Sequence, residues 1–397
     1  MRNGNKVILH VAFDSQHFES VYRRFEKLAG YEMVYLLPPK EGEYLDKDYF
    51  FIQNYKDVVV QTTDWEQWKS FFSHPDVDII YFWGIFPDFF RCVDGIDKKK
   101  IVILWVFGRD IYEVVNTSYP PILGVRLFKP RTFALLNGLR ARRFHLIRSN
   151  LAYVIPDYDL IRGKRDRRAL LKRADYIETP LSIEYELIKK KLGIKAEPFM
   201  IDGKGCEPKE QIIGHNTPGK ILVNHSGAFT NNHLDVLRYL CKTDVKGREI
   251  VFPMNYGFGK GTLLMKLGKY KDFGGSHTVF LENILPLDDY KELIKQTTHA
   301  VFGPLRQQAL GNIFMCFILG VKVFLFEDGI LYKQFKKDGF KVFSIEKDLT
   351  RELSEPLSRE DAEYNNRLYY SLYGLWEGYT QKCFDDLFGE KNNYFVC

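Results

Sequence analysis

Residues 302–328, FGPLRQQALGNIFMCFILGVKVFLFED, read as the end of a strand, a loop, a buried helix, a turn and a second buried strand. Gly303 and Pro304 mark the first turn, and Gly320 stands where a glycine ends a helix. The helix is apolar almost all round, through Ile313, Phe314, Met315, Phe317, Ile318 and Leu319, which places it inside the protein. Its opening differs. Arg306, Gln307, Gln308, Gly311 and Asn312 are polar or small, and Gln308 and Asn312, four apart, share a face that Gly311 leaves open. The free N–H groups of a helix start attract an anion, and a nearby guanidinium adds a forked charge. Two readings follow: a cradle for phosphate, or a packed helix whose amides serve the neighbouring backbone.

The chain has 397 residues, too many for one comfortable core, so two domains are expected. A hydrophobic content of 45% with 27% charged residues is the balance of a soluble globular protein. The start, MRNGNKVILHVAF, runs directly into a strand with no signal-peptide pattern, and no apolar run reaches membrane-spanning length. Cys92, Cys206, Cys241, Cys316, Cys383 and Cys397 are scattered without a C-x-x-C pair. They predict reduced thiols in a cytoplasmic protein, not a disulfide frame or a zinc site. The net charge of +6 fits an anionic partner without choosing among nucleotide, lipid surface and nucleic acid.

KVILHVAF, from Lys6, has the pattern of a buried parallel strand, and a helix with Phe18, Val21, Tyr22, Phe25 and Leu28 on one side follows. Asp14 and His17 then lie at the carboxyl end of a first strand, where open α/β sheets place their ligands. MVYLLPP, VDIIYFWG and KIVILWVFG are further strands, the last ending in Gly108, Arg109, Asp110 and Glu113. From Val125 to Arg173 the chain is basic (Arg126, Arg140, Arg142, Arg143 and Arg148 among others), with Phe128, Phe133, Leu135 and Leu136 interleaved. That mix suits an anionic membrane surface or a solvated helix with ordinary core leucines; no nucleic-acid motif accompanies it. The Pro- and Gly-rich segment from Glu197 to Gly219 is the expected linker.

The second half repeats the alternation. KILVNHS, EIVFPMNYG, HTVFLEN, HAVFG and VKVFLFED are strands, with helices between them. After Pro356, Ser358 starts a long final helix with Asp361 as capping partner and an apolar side running to Tyr379. The expected fold is α/β: two Rossmann-like, doubly wound domains facing across a cleft, the outline of a GT-B glycosyltransferase. The domains are 1–205, 206–355 and a helical segment 356–397 packing across them. Neither half has a G-x-G-x-x-G with a ribose-binding acid, and the glycines at 257, 259 and 261 lack the G-K-[ST] ending of a P-loop. No D-x-D stands at a strand end, so no metal is indicated and a helix start would have to neutralise a leaving diphosphate.

In VNHSGAFTNNH, Ser226 and Gly227 let the backbone approach a ligand, and Asn231 and Asn232 offer amides, although one of the two is expected to cap the next helix. Asn255 and Tyr256 end the following strand. Glu327 and Asp328 either meet ribose hydroxyls or begin a turn, and His225 and His233 either touch a nucleotide or are structural. A carboxylate or a histidine oriented by one can take a sugar hydroxyl proton, which makes Asp14 and His17 candidate bases. The alternative is that Asp14 caps the first helix and His17 is a packed surface residue; His10, inside the strand, reads as a core histidine.

NHSGAFTNNHLDVL, IVFPMNYG, FLENILPLDDYKELI, RQQALGNI and LGVKVFL resemble the Fuc4NAc transferases of enterobacterial common antigen synthesis, glycosyltransferase family 56, named for 4-alpha-L-fucosyltransferase. HVAFDSQHFES and LWVFGRDIYE extend the resemblance to the N-terminal half. The resemblance implies a metal-independent GT-B enzyme at the inner face of the cytoplasmic membrane. It would move a deoxyamino or deoxy hexose from a TDP- or other nucleotide-sugar to a polyprenyl-diphosphate-linked saccharide. No cofactor is then expected, since the nucleotide-sugar is a substrate, and no nucleic acid. The assigned donor residues are Asn224, Ser226, Gly227, Asn231, Asn255, Tyr256, Arg306, Gln307, Gln308 and Asn312; Asp14 or His17 is the base, supported by Asp110. The competing activities are a nucleotide-sugar epimerase, a polysaccharide pyruvyl transferase, or a binding protein that kept the fold.

Overall fold

The computed structural model describes residues 5–15, 17–39, 51–62, 64–85, 87–115, 127–146, 168–199, 205–215, 217–257, 259–375 and 378–389. Its contacts divide the chain into two compact units. One comprises Met1–Val115, Ala152–Lys204 and Trp376–Cys397, the other Asn116–Leu151 and Gly205–Leu375.

The first unit is built on seven parallel strands: β1 (Lys6–Val11), β2 (Tyr31–Leu36), β3 (Val59–Val60), β4 (Val77–Trp83), β5 (Ile101–Trp105), β6 (Tyr176–Glu178) and β7 (Glu197–Pro198). Their order is β3-β2-β1-β4-β5-β6-β7. The central strands are buried along nearly their whole length, which is why they read as continuous apolar runs. His10 is a core histidine, as expected. It stacks on Tyr35 with centroids 4.7 Å apart, and Nδ1 accepts the Trp83 indole N–H at 3.0 Å.

The second unit has six parallel strands: β8 (Lys220–Val223), β9 (Glu249–Pro253), β10 (His277–Leu281), β11 (Thr297–Phe302), β12 (Lys322–Leu325) and β13 (Phe343–Ser344), in the order β10-β9-β8-β11-β12-β13. In each sheet the strand order reverses beside the first strand, between β1 and β4 and between β8 and β11. Ligands of open α/β sheets bind beyond the carboxyl ends of the strands at such switch points. The helix Leu310–Leu319 joins β11 to β12 and ends at Gly320, in the left-handed region with φ +82°; the Val321 N–H closes it on the Cys316 carbonyl at 2.8 Å. The strands β3, β7 and β13 have two residues each, too short for a pattern.

Three boundaries differ from expectation. The helix Pro130–Leu146, from the first half of the sequence, belongs to the second unit. Asp235 draws it there, accepting the Arg131 and Thr132 N–H groups, both at 2.9 Å, and the Thr132 hydroxyl at 2.7 Å. Phe128, Leu135 and Leu136 pack on that unit's core rather than forming a free apolar face. Arg126, Arg148 and the basic residues from 162 to 167 lie outside the described residues, as do the side chains of Arg140, Arg142 and Arg143. Within the expected linker, residues 205–215 are built in: the Cys206 N–H bonds Tyr370 O at 3.0 Å and the Ile213 N–H bonds Leu319 O at 3.0 Å.

The expected long final helix is two. Arg359–Leu372, capped by Ser358 Oγ on the Asp361 N–H at 3.1 Å, packs in the second unit, and Tyr379–Asp386 packs in the first. The break falls at Gly374, where a Cβ would stand 2.6 Å from Cys206 Sγ. Among the described residues no helix is long and apolar enough to cross a membrane.

Four imidazoles, His10, His225, His233 and His299, are buried, and burial is the main force holding each pKa near 3. Their folded values lie below the ordinary 6.5, so their contribution to stability is full above that pH and is lost as pH falls towards 3. The protein is therefore expected to lose stability progressively as pH falls below 6.5. Guanidinium unfolding at pH 6.5 and 5.0 checks this; equal stability at both would contradict it.

Candidate functional site

The loops after β8 and β11 meet at the switch point of the second sheet, and Gly303 is the meeting place. Its N–H donates to Asn224 Oδ1 at 2.8 Å, and its carbonyl accepts from Asn232 Nδ2 at 2.9 Å. No side chain fits there: a Cβ on Gly303 would lie 2.2 Å from the Asn231 carbonyl and 2.8 Å from Val236 Cγ2. Among the described residues four non-glycine residues have positive φ, and three gather here: Asn224 (+62°), Asn232 (+52°) and Ala309 (+64°). Such backbone is costly outside glycine, persists only where surroundings over-determine it, and concentrates at functional sites.

A third loop closes on these two. The Gly227 N–H donates to the Tyr256 carbonyl at 2.7 Å, and a Cβ on Gly257 would stand 2.6 Å from the Ala228 nitrogen. Thus Gly227 and Gly257 let the ends of β8 and β9 pack backbone to backbone. Asn231 holds the first loop from inside, its Nδ2 donating to the Ser226 carbonyl at 2.6 Å and to Ser226 Oγ at 3.0 Å. The N-cap position of the helix His233–Leu240 is Asn232, but its side chain makes no cap bond and instead holds Gly303, Leu127 O and the Lys129 N–H.

The 310–319 helix starts later than its sequence suggests. Ala309 is its N-cap, so Arg306, Gln307 and Gln308 belong to the preceding loop, and Gln308 does not pair with Asn312 across a turn. Gln308 Oε1 instead accepts the Thr230 hydroxyl at 2.8 Å, while Nε2 lies 3.4 Å from His225 Nε2. Gly311 is exposed, with open space around its Cβ position, and Asn312 beside it is half-buried. Ala309 at the N-cap has no side-chain bond to this helix start. The Arg306 guanidinium lies close enough to His225 to add to burial in lowering its pKa. Tyr256 is half-exposed and meets the His225 ring edge-on at 6.1 Å.

Around this point several buried polar atoms have no hydrogen-bond partner among the described residues: Asn224 Nδ2, His225 Nδ1, Asn231 Oδ1, both His233 nitrogens, Asn255 Oδ1 and Tyr290 Oη. Buried polar groups are normally satisfied, so such a concentration at a strand-end crevice marks a place built for polar chemistry. The sequence did not single out Thr230, Tyr290 or the grip on Gly303. The two asparagines in FTNNH and VNHS carried the signal, since Asn is the side chain that best tolerates positive φ. Glu327 and Asp328 stand at a turn, paired with Lys347 at 2.9 Å and Lys129 at 2.7 Å.

In the first unit the strand-end carboxylates accept backbone N–H groups. Asp14 Oδ1 accepts the N–H groups of Phe51 (2.9 Å) and Ile52 (3.1 Å) and caps no helix. Asp110, buried in the first turn of the helix Gly108–Val115, reaches back to the Phe107 N–H at 3.1 Å. His17 precedes the helix Phe18–Phe25. It is exposed as a residue, yet its ring stacks on Phe107 at 5.9 Å and lies 6.3 Å from Trp105, and that desolvation lowers its pKa. The switch region therefore brings His17 against the strand end that carries Asp110. The side chain of Glu113 lies outside the described residues. Among the described residues no group of three His, Cys, Asp or Glu is arranged to hold a metal ion.

Two all-parallel sheets of this topology define the GT-B class. Sucrose-phosphate synthase from Thermosynechococcus elongatus has this fold, at 10% identity and TM-score 0.58, with 98% of this chain and 100% of that one covered. The lipopolysaccharide outer core galactosyltransferase WaaB is similar at 11% identity and TM-score 0.58, covering 98% and 100%. WaaG, a glycosyltransferase involved in lipopolysaccharide biosynthesis, is similar at 13%, TM-score 0.51, covering 96% and 100%. Residues 204–366 match the sequence profile of the family described as 4-alpha-L-fucosyltransferase, glycosyl transferase group 56. The matched stretch contains the whole polar cluster of the second unit.

Gly303→Ala is expected to destabilise the protein by about 3 kcal/mol through overpacking and to disorganise the pocket. Denaturant unfolding measures the first, and loss of nucleotide-induced thermal stabilisation the second. A variant of unchanged stability would contradict the close approach.

Proposed function

We propose that this protein is a glycosyltransferase that moves a deoxyamino or deoxy hexose of the Fuc4NAc type from a TDP- or related nucleotide-sugar to a saccharide carried on polyprenyl diphosphate. One observation carries the reading: a helix start at Leu310 whose N-cap, Ala309, offers no capping side chain, with Arg306 and Gln308 before it, at the switch point of the family-matched unit. Cleaving the sugar–phosphate bond places growing negative charge on the leaving diphosphate. Free helix N–H groups and a guanidinium fixed beforehand stabilise that charge without reorganising. In this reading they act without a divalent cation.

The donor residues then divide by role. Arg306, Gln307, Gln308 and Asn312 contact the diphosphate with the backbone around Gly311; Ser226, Asn255 and Tyr256 shape the rest of the donor pocket. Asn224, Gly227 and Asn231 are positioning residues, since their contacts hold the loops together. For the base we favour His17 over Asp14 and Asp110. Its ring is not engaged by backbone N–H groups, and desolvation keeps it neutral and proton-accepting at pH 7. The lipid-borne acceptor brings the chain to the inner membrane surface, where the basic residues between Arg126 and Arg173 supply the attraction.

Purified protein with TDP-sugars and a polyprenyl-diphosphate disaccharide tests this. His17→Ala is expected to lower kcat by about 100-fold or more while donor affinity stays within about 2-fold. The wild-type rate is expected to fall on the acid side, below pH 6.5, as His17 takes a proton. Full activity of the variant would contradict the assignment, and isomerised donor in the absence of acceptor would show an epimerase instead.

A further inference from the structure

We propose that His225 is a phosphate-binding residue, its Nε2–H converging with Ser226 Oγ and Gln308 Nε2 on one oxygen of the donor diphosphate. The inference rests on the functional reading above and assigns a residue that reading leaves out.

The geometry is local and specific. Asn224, in the left-handed region, turns the chain at the end of β8, and His225 follows it. Its Nε2 lies 3.4 Å from Ser226 Oγ and 3.4 Å from Gln308 Nε2. Both contacts exceed the length of a satisfied hydrogen bond, so the three groups converge without saturating one another. The Gln308 amide is oriented by Thr230, whose hydroxyl donates to Oε1, so it is the NH2 group that faces the imidazole. On the other side of the ring, Nδ1 is buried with no partner among the described residues. A proton there would be a buried N–H without an acceptor, which is the costlier arrangement, so the proton belongs on Nε2. Donors facing each other at this spacing are matched by an acceptor oxygen lying against them.

The ring serves as a neutral donor. The groups facing it are the Arg306 guanidinium from the loop after β11, His233 from the following helix and Tyr256 from the loop after β9. Burial, with Arg306 second, holds His225 near pKa 3, so it supplies direction while Arg306 supplies charge.

Gln and Asn separate the two ring nitrogens, because a Gln amide nitrogen falls near the place of Nε2 and an Asn amide nitrogen near that of Nδ1. Titration calorimetry of wild type, His225→Gln and His225→Asn with thymidine diphosphate and with thymidine is the test. His225→Gln is expected to hold thymidine diphosphate within about 3-fold of wild type, and His225→Asn to weaken it by about 10- to 100-fold. Thymidine affinity should be alike in all three. Unchanged diphosphate affinity in His225→Asn, or equal losses for diphosphate and nucleoside, would overturn the assignment alone. Failure of the wild-type protein to bind thymidine, uridine or guanosine diphosphate would overturn the functional reading and this assignment with it. Should His225→Asn not fold, 15N-histidine NMR of the wild-type protein decides: thymidine diphosphate should shift the Nε2 resonance of His225 and thymidine should not. A resonance indifferent to diphosphate would overturn the proposal.

Discussion

The hold of two asparagines on one glycine organises the second unit. Asn224 takes the Gly303 N–H and Asn232 takes its carbonyl, so the backbone after β11 is fixed to the backbone after β8 at both of its polar groups. Because Gly303 has no Cβ, the loops approach to a distance no other residue allows. That approach sets where residues 304–309 run, and therefore where the 310–319 helix points its free N–H groups. The left-handed conformations of Asn224, Asn232 and Ala309 are the cost of this arrangement, offset by the bonds that hold them.

The resulting site is mostly neutral. Amide, hydroxyl and imidazole groups from Asn231, Ser226, Gln308 and His225 line it, and Arg306 brings a full charge. Neutral donors in fixed positions suit a group whose charge grows during reaction, since they need not be stripped of water at that moment. A buried histidine held uncharged fits the same logic: a buried imidazolium beside the Arg306 guanidinium would be costly.

The sheets were legible in the sequence because buried parallel strands are continuous apolar runs; KVILHV, VDIIYFW and KVFL need no context to be read. The 310–319 helix and its Gly320 end were legible for the same reason. What escaped was set by tertiary contacts. Pro130–Leu146 joins the second unit through Asp235, a residue about a hundred positions away, and no local pattern announces that bond. The final helix ends at Leu372, where Cys206, again a distant neighbour, takes Tyr370 O and leaves no room for a side chain at Gly374. In the site, residue types were readable but roles were not. Asn224 and Asn231 have the composition of ligand-binding residues and hold backbone, whereas for His225 the sequence left contact with a nucleotide and a structural place open, and only the geometry shows Ser226 and Gln308 beside its Nε2.

The most direct test is a crystal structure of the chain grown with thymidine diphosphate. The account predicts phosphate oxygens within about 3 Å of the backbone nitrogens at Gly311 and Asn312 and of the Arg306 guanidinium. A nucleotide lodged away from the start of the 310–319 helix, or that start covered by packed side chains, would contradict it.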